Sequence, residues 1–258
     1  MLNLIFNALK KMALIPLLTL ATTVGAAELP LVKIASDPSS QPFAYMDLKT
    51  KKMTGFDIDL VNALAKIAGF RVENVPIDFA GIIPALQSGS VEAAASSFTI
   101  TDQRKKVIDF SVPYYDSGLQ ILVRDNEQNI TSMNSLIGKK VAALTGATGY
   151  TYTKEKMGNK VNLVPYSTNS DAFLALLSGS VDAVITDKAV LDYYSKHGGQ
   201  GKAKVVGPIY HGEKFGVAFA KGSHWVVPVN NAFAKIKADG TLGKIYQKWF
   251  GAPVPADI

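Results

Sequence analysis

The chain of 258 residues contains no cysteine. Disulfides, thiolate metal ligands and thiol nucleophiles are thereby excluded. So is the lipid-bearing cysteine that anchors an exported lipoprotein. Histidine is scarce: His197, His211 and His224 stand alone, with no metal-ligand spacing and no Ser/His/Asp order. Each reads as a surface or loop residue, and neither a metal nor a cofactor is expected. The formal charge of +6 is spread thinly along the chain, which excludes the concentrated basic footprint of a nucleic-acid binder. After the N-terminus no apolar run approaches the roughly 20 residues of a bilayer-spanning helix.

What is present begins with Lys10 and Lys11, then an apolar run from Met12 to Val24, then the small residues Gly25-Ala26-Ala27. A charged start, a short apolar stretch and a small-residue site form a secretory signal peptide. The run is too short to span a bilayer and Pro16 interrupts it. Cleavage is expected after Ala26 or Ala27, releasing a freely diffusing protein into a periplasm.

The remaining length and a 48% apolar composition suit one large domain or two small ones. Residues 31–35 alternate as a strand. Gly55-Phe-Asp57 opens a helix, with Asp57 a plausible N-cap, Val61, Leu64, Ala65 and Ala68 on one face, and Gly69 as the stop. Strand 70–75, helix 79–87 and strand 91–95 complete a βαβαβ unit, which implies a parallel sheet flanked by helices. The same grammar restarts after residue 118, with strands at 140–144, 161–165 and 181–185 and a helix at 171–177. A strand at 214–219 and helices at 228–237 and 242–250 follow.

One phrase occurs twice: residues 85–93 read ALQSGSVEA and residues 175–183 read ALLSGSVDA, identical at seven of nine positions. Each copy is a helix end, a glycine turn and the start of an interior strand, so the chain reads as two similar α/β lobes. Ligands in open α/β sheets sit beyond the carboxyl ends of the strands. The position after the first copy that matches Asp187 is Ser97, with Phe98 and Thr99 beside it. A hydroxyl from one lobe and a carboxylate from the other would then meet one ligand. Asp187 reads equally well as the N-cap of a helix starting at Lys188.

Arg104 falls in the first turn of a helix capped by Thr101 or Asp102, where the helix dipole disfavours a cation by roughly 0.3–1 kcal/mol. A ligand carboxylate would compensate, since the guanidinium fork matches it bidentately. An exposed arginine in the run Arg104-Lys105-Lys106 is the plain alternative. Arg104 with Ser and Thr donors suits an α-carboxylate, and Asp187 suits an α-ammonium. The pair describes a zwitterion site for a free amino acid. Asp37 follows the first strand, where a turn role is the default. Facing the ligand, it would favour a polar or cationic side chain. Phe79 would cover the ligand's apolar stem. The loop Thr145–Gly149 is neither a P-loop nor G-x-G-x-x-G, but Thr148 and its backbone N–H groups suit a carboxylate.

The chain resembles the periplasmic solute-binding proteins for polar amino acids that serve ABC importers, the group including the histidine, lysine/arginine/ornithine and glutamine binding proteins. The likeness covers residues 30–251. It is carried by Gly55-Phe-Asp-Ile-Asp-Leu60, Asp78-Phe-Ala-Gly-Ile-Ile-Pro-Ala-Leu-Gln87, Thr99-Ile-Thr-Asp-Gln-Arg104, Ile108-Asp-Phe-Ser111 with Pro113-Tyr-Tyr115, and Asp239-Gly-Thr with Lys248-Trp-Phe-Gly251. The resemblance implies a type II periplasmic-binding-protein fold: two α/β lobes with parallel-rich sheets, joined by a two-segment hinge. Its boundaries would be residues 1–26 for the signal peptide, 27–114 plus 216–258 for one lobe, 119–210 for the other, and 115–118 with 211–215 for the hinge. It implies Arg104 on the α-carboxylate with Thr99, Thr148 and backbone near Ser97, Asp187 on the α-ammonium, and Asp37 and Phe79 on the ligand side chain. It also implies an ABC permease as partner and a monomeric binder. Family members often carry an aromatic where Ser40 stands, so one wall is missing or supplied elsewhere. Leu144 matches the basic-amino-acid type, whereas the glutamine type has lysine there. An exported dehydratase on the same fold is the rival from another class, and a sensor domain a third. An enzyme would need a general acid or base, and the two cleft acids, Asp37 and Asp187, already have binding roles.

Overall fold

Strand β1 (Leu31–Ser36) forms because Val32 and Ile34 face the core while Leu31 and Lys33 face solvent. It belongs to a computed structural model that describes residues 28–256 and 258. The signal peptide expected at 1–26 lies outside the described residues. A three-stranded antiparallel meander follows, β2 (Ser39–Ser40), β3 (Ala44–Asp47) and β4 (Lys52–Thr54). Helix α1 (Phe56–Ala68) buries Phe56, Leu60, Val61, Leu64 and Ala65 on one stripe. It stops at Gly69, whose φ of 84° is the left-handed region that favours glycine.

Next come β5 (Arg71–Pro76), α2 (Phe79–Ser88), β6 (Ala93–Ala94), the short helix α3 (Asp102–Lys105) and β7 (Ile108–Phe110). Strand β8 (Tyr115–Arg124) carries the chain into a second sheet, built with β9 (Lys140–Leu144), α4 (Thr148–Met157), β10 (Asn162–Tyr166), α5 (Asn169–Leu177), β11 (Ala183–Asp187) and α6 (Lys188–Lys196). Strand β12 (Ala203–Phe215) returns it, and β13 (Ala218–Ala220), α7 (Val226–Ala238) and α8 (Thr241–Phe250) finish on the first lobe.

The two five-stranded sheets have the same plan. One runs β5-β1-β6-β13-β7 and the other β10-β9-β11-β8-β12. In each, three parallel strands are followed by one antiparallel to its neighbour, β13 against β6 and β8 against β11. This is the two-lobed α/β architecture expected from the sequence.

The repeated phrase makes the same bonds twice. The Ser90 N–H donates to the Ala85 carbonyl at 3.0 Å, and the Ser180 N–H to Ala175 at 2.9 Å. Ser88 pairs with Ser90, and Ser178 with Ser180. The Glu92 carboxylate accepts from the Lys33 N–H, and that of Asp182 from Lys140, both at 2.8 Å. Each copy thus pins the end of a buried helix to the strand beside it.

Between the lobes, β8 and β12 pair antiparallel from Phe215↔Tyr115 through Gly212↔Gly118 to Tyr210↔Leu119, with the register shifting on both sides of Tyr210. Rings of Phe43, Phe56 and Phe250 pack on Tyr115 and clamp this ribbon to the first lobe. The strand expected at 214–219 is therefore two strands. Phe215 ends the ribbon and Ala218 begins β13, because the chain changes sheets at Gly216, whose N–H donates to the Phe98 carbonyl at 3.1 Å. Alternating burial cannot reveal a change of sheet. The strand expected at 91–95 shrinks to Ala93–Ala94, since the residues after it bend into the cleft.

Candidate functional site in the interlobe cleft

Six of the expected site residues besides Thr148 lie at or just after strand ends, whereas Ser40 lies within β2, Phe79 opens α2 and Arg104 lies in α3. Asp37 follows β1, Ser97 to Thr99 follow β6, Leu144 ends β9, Thr148 opens α4, and Asp187 ends β11. Parallel strands in both sheets place these ends at one seam.

The segment after β6 is tied down on every side. The Ser36 hydroxyl donates to the Ala95 carbonyl at 2.6 Å, and the Asp37 N–H donates to the Ser96 hydroxyl at 2.9 Å. Ser97 has φ 45°, a left-handed conformation unusual for a residue with a Cβ. Its N–H donates to the Asp57 carboxylate at 2.6 Å. Asp57 does not cap α1 as the sequence suggests: Gly55 holds the cap position, and Asp57 is fully buried with its carboxylate turned to Ser97. Helix periodicity identifies the first turn but cannot show a partner 40 residues away.

Arg104 is 7% exposed. Its Nη1 donates to the Thr99 carbonyl at 2.8 Å and its Nη2 to the Gly146 carbonyl of the other lobe at 3.0 Å. The guanidinium lies 4.5 Å from the Phe98 ring centroid, and Phe98 stacks on Phe79 at 5.0 Å. Arg104 lies in the first turn of α3, capped by Thr101 as expected, but the helix is too short for the dipole argument. Helix α3 has four residues and Thr101 accepts from the Arg104 N–H, so Arg104 sits in the last turn as much as the first. The dipole therefore does not demand an anion there. Burial of the guanidinium against two rings is the stronger observation.

Arg104, Gly146 and Thr148 line a 420 Å³ cavity with Thr101, Thr151 and Tyr152. Thr148 is the first residue of α4, and the first N–H groups of a helix suit an anion. Helix α4 reaches this place because Gly149 has no side chain: a Cβ there would stand 2.6 Å from the Ile185 carbonyl oxygen. Leu144 and Ala147 pack with Phe79 and Phe98, so an apolar floor crosses the seam.

Asp37 is 1% exposed. One carboxylate oxygen accepts from the Ser39 N–H and hydroxyl at 2.7 and 2.6 Å, and the other from the Phe79 N–H at 3.0 Å. Burial raises its pKa, and these bonds oppose the rise. Asp37 therefore makes the turn and also secures the start of α2, which carries Phe79. Asp187 is half-buried and stands at the N-cap position of α6, as the cap alternative has it, although its side chain makes no capping bond there. It faces the ribbon: Tyr115 has its pKa pushed up to about 12 by burial, then by Asp192 and Asp187.

Ser40 is enclosed in the hairpin, paired with Ala44. The aromatic surface on that side comes from the other lobe. Phe173, Tyr193 and Tyr194 wall a 410 Å³ cleft with Ser39, Gln41 and Val190. The Ser39 hydroxyl also accepts from the Asn169 N–H at 3.3 Å, a second bond across the seam besides Arg104 to Gly146. Neither Asn169 nor the Gly146 carbonyl carries a sequence signal, because each is defined by which lobe faces it. The three histidines are exposed as expected. Among the described residues no group of three or more His, Asp or Glu side chains has the geometry of a metal site, and no helix is long and apolar enough to cross a membrane.

The L-arginine-binding protein of Pseudomonas aeruginosa is 32% identical over 260 residues, covering 95% of this chain and 98% of that one. The probable histidine-binding protein of Neisseria gonorrhoeae is 33% identical over 221 residues, covering 84% and 82%. An ancestral arginine-binding protein, solved with arginine and with glutamine bound, superposes with TM-score 0.82 at 41% identity, covering 86% and 98%. These relatives are binding proteins. The family model of the bacterial extracellular solute-binding proteins, family 3, matches residues 32–252, and the chain belongs to that family.

Proposed function

We propose that this protein binds a free polar amino acid between its lobes in the periplasm and delivers it to an ABC-type permease of the inner membrane. The carrying observation is that Arg104 of one lobe and the N-terminus of α4 of the other line one cavity. The buried Arg104 guanidinium stands beside the N-terminus of α4 in a shared cavity, and Asp187 ends β11 at the N-cap position of α6, its side chain making no capping bond. An α-carboxylate fits the first group and an α-ammonium the second. Phe79, Phe98 and Leu144 would cover the apolar stem, with Ser97, Thr99 and Thr148 supplying donors. Asp37, secured by Ser39 and Phe79, and the rings of Phe173 and Tyr193 favour a cationic or amide side chain. The names of the arginine- and histidine-binding relatives support the same class.

Closure would be a rotation of residues 27–114 plus 216–258 against 119–210 about the paired segments 115–118 and 211–215, whose register shifts beside Tyr210 supply compliance. Asp37 has both oxygens engaged by Ser39 and Phe79, which leaves it poorly placed to move a proton. Binding without turnover is the function this supports.

A thermal-shift screen of residues 27–258 against the twenty amino acids, ornithine and citrulline tests the reading. A binder at 100 times its Kd adds about 2.7 kcal/mol of stability. Arg104→Ala and Asp187→Asn are expected to remove that shift while each apo protein stays folded. No shift with any amino acid, or turnover of prephenate or arogenate, would sink the proposal.

A further inference from the structure

We infer that Asp57 is a positioning residue of the amino-acid site: its buried carboxyl holds Ser97 in a left-handed conformation and so aims the segment that carries Arg104's anchor. The inference rests on the reading of Ser97–Thr99 and Arg104 as ligand-holding groups, and adds a residue that touches no ligand.

Three observations carry it. First, the geometry is specific. The carboxylate of Asp57 receives the Ser97 N–H at 2.6 Å, and Asp57 is 0% exposed. Its own N–H goes to the Phe43 carbonyl at 2.9 Å, so the side chain is not spent on its helix.

Second, Ser97 needs holding. A left-handed φ of 45° is disfavoured for any residue with a Cβ, and strain of this kind persists only where surroundings enforce it. Glycine, the usual solution, is absent here. Relaxation of Ser97 toward an extended backbone would redirect everything around it. Ser96 holds the Asp37 N–H, the Phe98 carbonyl holds Gly216 at the lobe crossing, and the Thr99 carbonyl holds the Arg104 guanidinium. One dihedral thus sets both the acid and the carboxylate-binding group of the first lobe.

Third, a carboxyl is a costly way to make this bond in a core. Its second oxygen has no protein partner in good hydrogen-bonding geometry, although the Tyr114 hydroxyl faces it. Burial pushes the Asp57 pKa up to about 7, against the Ser97 N–H and the Tyr114 hydroxyl, which favour the charged form.

The test uses isothermal titration with L-arginine, L-histidine and L-glutamine on residues 27–258, below the unfolding temperature of every variant. Asp57→Ala is expected to weaken binding about tenfold or more, a loss of the size expected for one strong bond. Asp57→Asn retains an oxygen that accepts from Ser97 and is expected to stay within about threefold of wild type. Ser97→Gly removes the need for restraint, since glycine takes φ 45° freely. In that background the Asp57→Ala penalty is expected to shrink to about threefold or less, read as a double-mutant cycle. If Asp57→Ala does not fold, the Asn variant and the Asp57→Ser and Asp57→Ser/Ser97→Gly pair carry the same comparison.

A purely structural role would lower the unfolding temperature and leave affinity unchanged; that result overturns the inference. Equal penalties with and without the Ser97→Gly substitution also overturn it. If wild type binds none of the three probes nor any amino acid of the screen, the site reading fails first and this inference with it. If wild type binds and Asp57→Ala binds equally, only this inference fails.

Discussion

Asp57 provides a pH test of its own environment, independent of any ligand. In an unfolded chain its carboxyl titrates near 3.8, and burial raises it to about 7 in the fold, with the Ser97 N–H and the Tyr114 hydroxyl opposing the rise. Below pH 3.8 both states are protonated and the group costs nothing. As pH rises past that point the unfolded chain releases the proton while the folded protein keeps it. Stability therefore falls with rising pH until the folded group also ionises near 7. About three units at about 1.4 kcal/mol each set the full cost at about 4 kcal/mol. The Asp57→Asn variant keeps the acceptor and does not titrate, so it isolates this group from every other carboxylate. Urea unfolding of both proteins at about pH 4, 5, 6, 7 and 8, at one ionic strength, is the assay. The stability of Asp57→Asn relative to wild type is expected to climb by about 4 kcal/mol between about pH 4 and 8, most of it before about pH 7. A difference that stays flat within about 1 kcal/mol would mean that Asp57 ionises normally, and the desolvation argument would be wrong.

Gly149→Ala places a methyl 2.6 Å from the Ile185 carbonyl oxygen and 3.4 Å from the Thr186 Cα, so α4 must back away from β11. A loss of about 1–3 kcal/mol is expected by urea unfolding, together with a smaller amino-acid-induced thermal shift because Thr148 moves with the helix. Gly243→Ala in α8, where an added Cβ meets nothing within 4 Å, serves as control and is expected to be neutral or to stabilise by up to about 1 kcal/mol. Leu86→Ala and Leu176→Ala remove equivalent side chains of the repeat, 1% and 0% exposed. Each is expected to cost about 2–5 kcal/mol by the same assay. A cost below about 1 kcal/mol at either position would show that its copy is not an independent core element.

Much of the fold was legible because its signals are local. Gly69, Gly89 and Gly179 end their helices with φ of 84°, 73° and 80°, and each was readable as a stop after an apolar stripe. The repeat was legible for the same reason, and its two copies make matching bonds to Lys33 and Lys140. Less visible was the ribbon of β8 and β12. Its pairing joins Tyr115 to Phe215, a hundred residues apart, and no short-range pattern records such a partner. The three-stranded meander at Ser39 to Thr54 escaped too, since its strands have two to four residues, too few for a period to show.

The sequence by itself determined the α/β alternation, the doubling of the lobe and the strand ends on which Ser97 and Asp187 stand, because periodicity and glycine stops act over a few residues. Only the tertiary structure decided what those ends face. It turned Asp57 from a helix cap into the anchor of Ser97, replaced the dipole argument for Arg104 with burial against Phe98, gave Asp37 to Ser39 and Phe79, and supplied aromatic rings from the second lobe near Ser40. Most of these are contacts between segments far apart in the chain. The cost of burying a charge depends on what surrounds it, and a linear sequence does not state its surroundings.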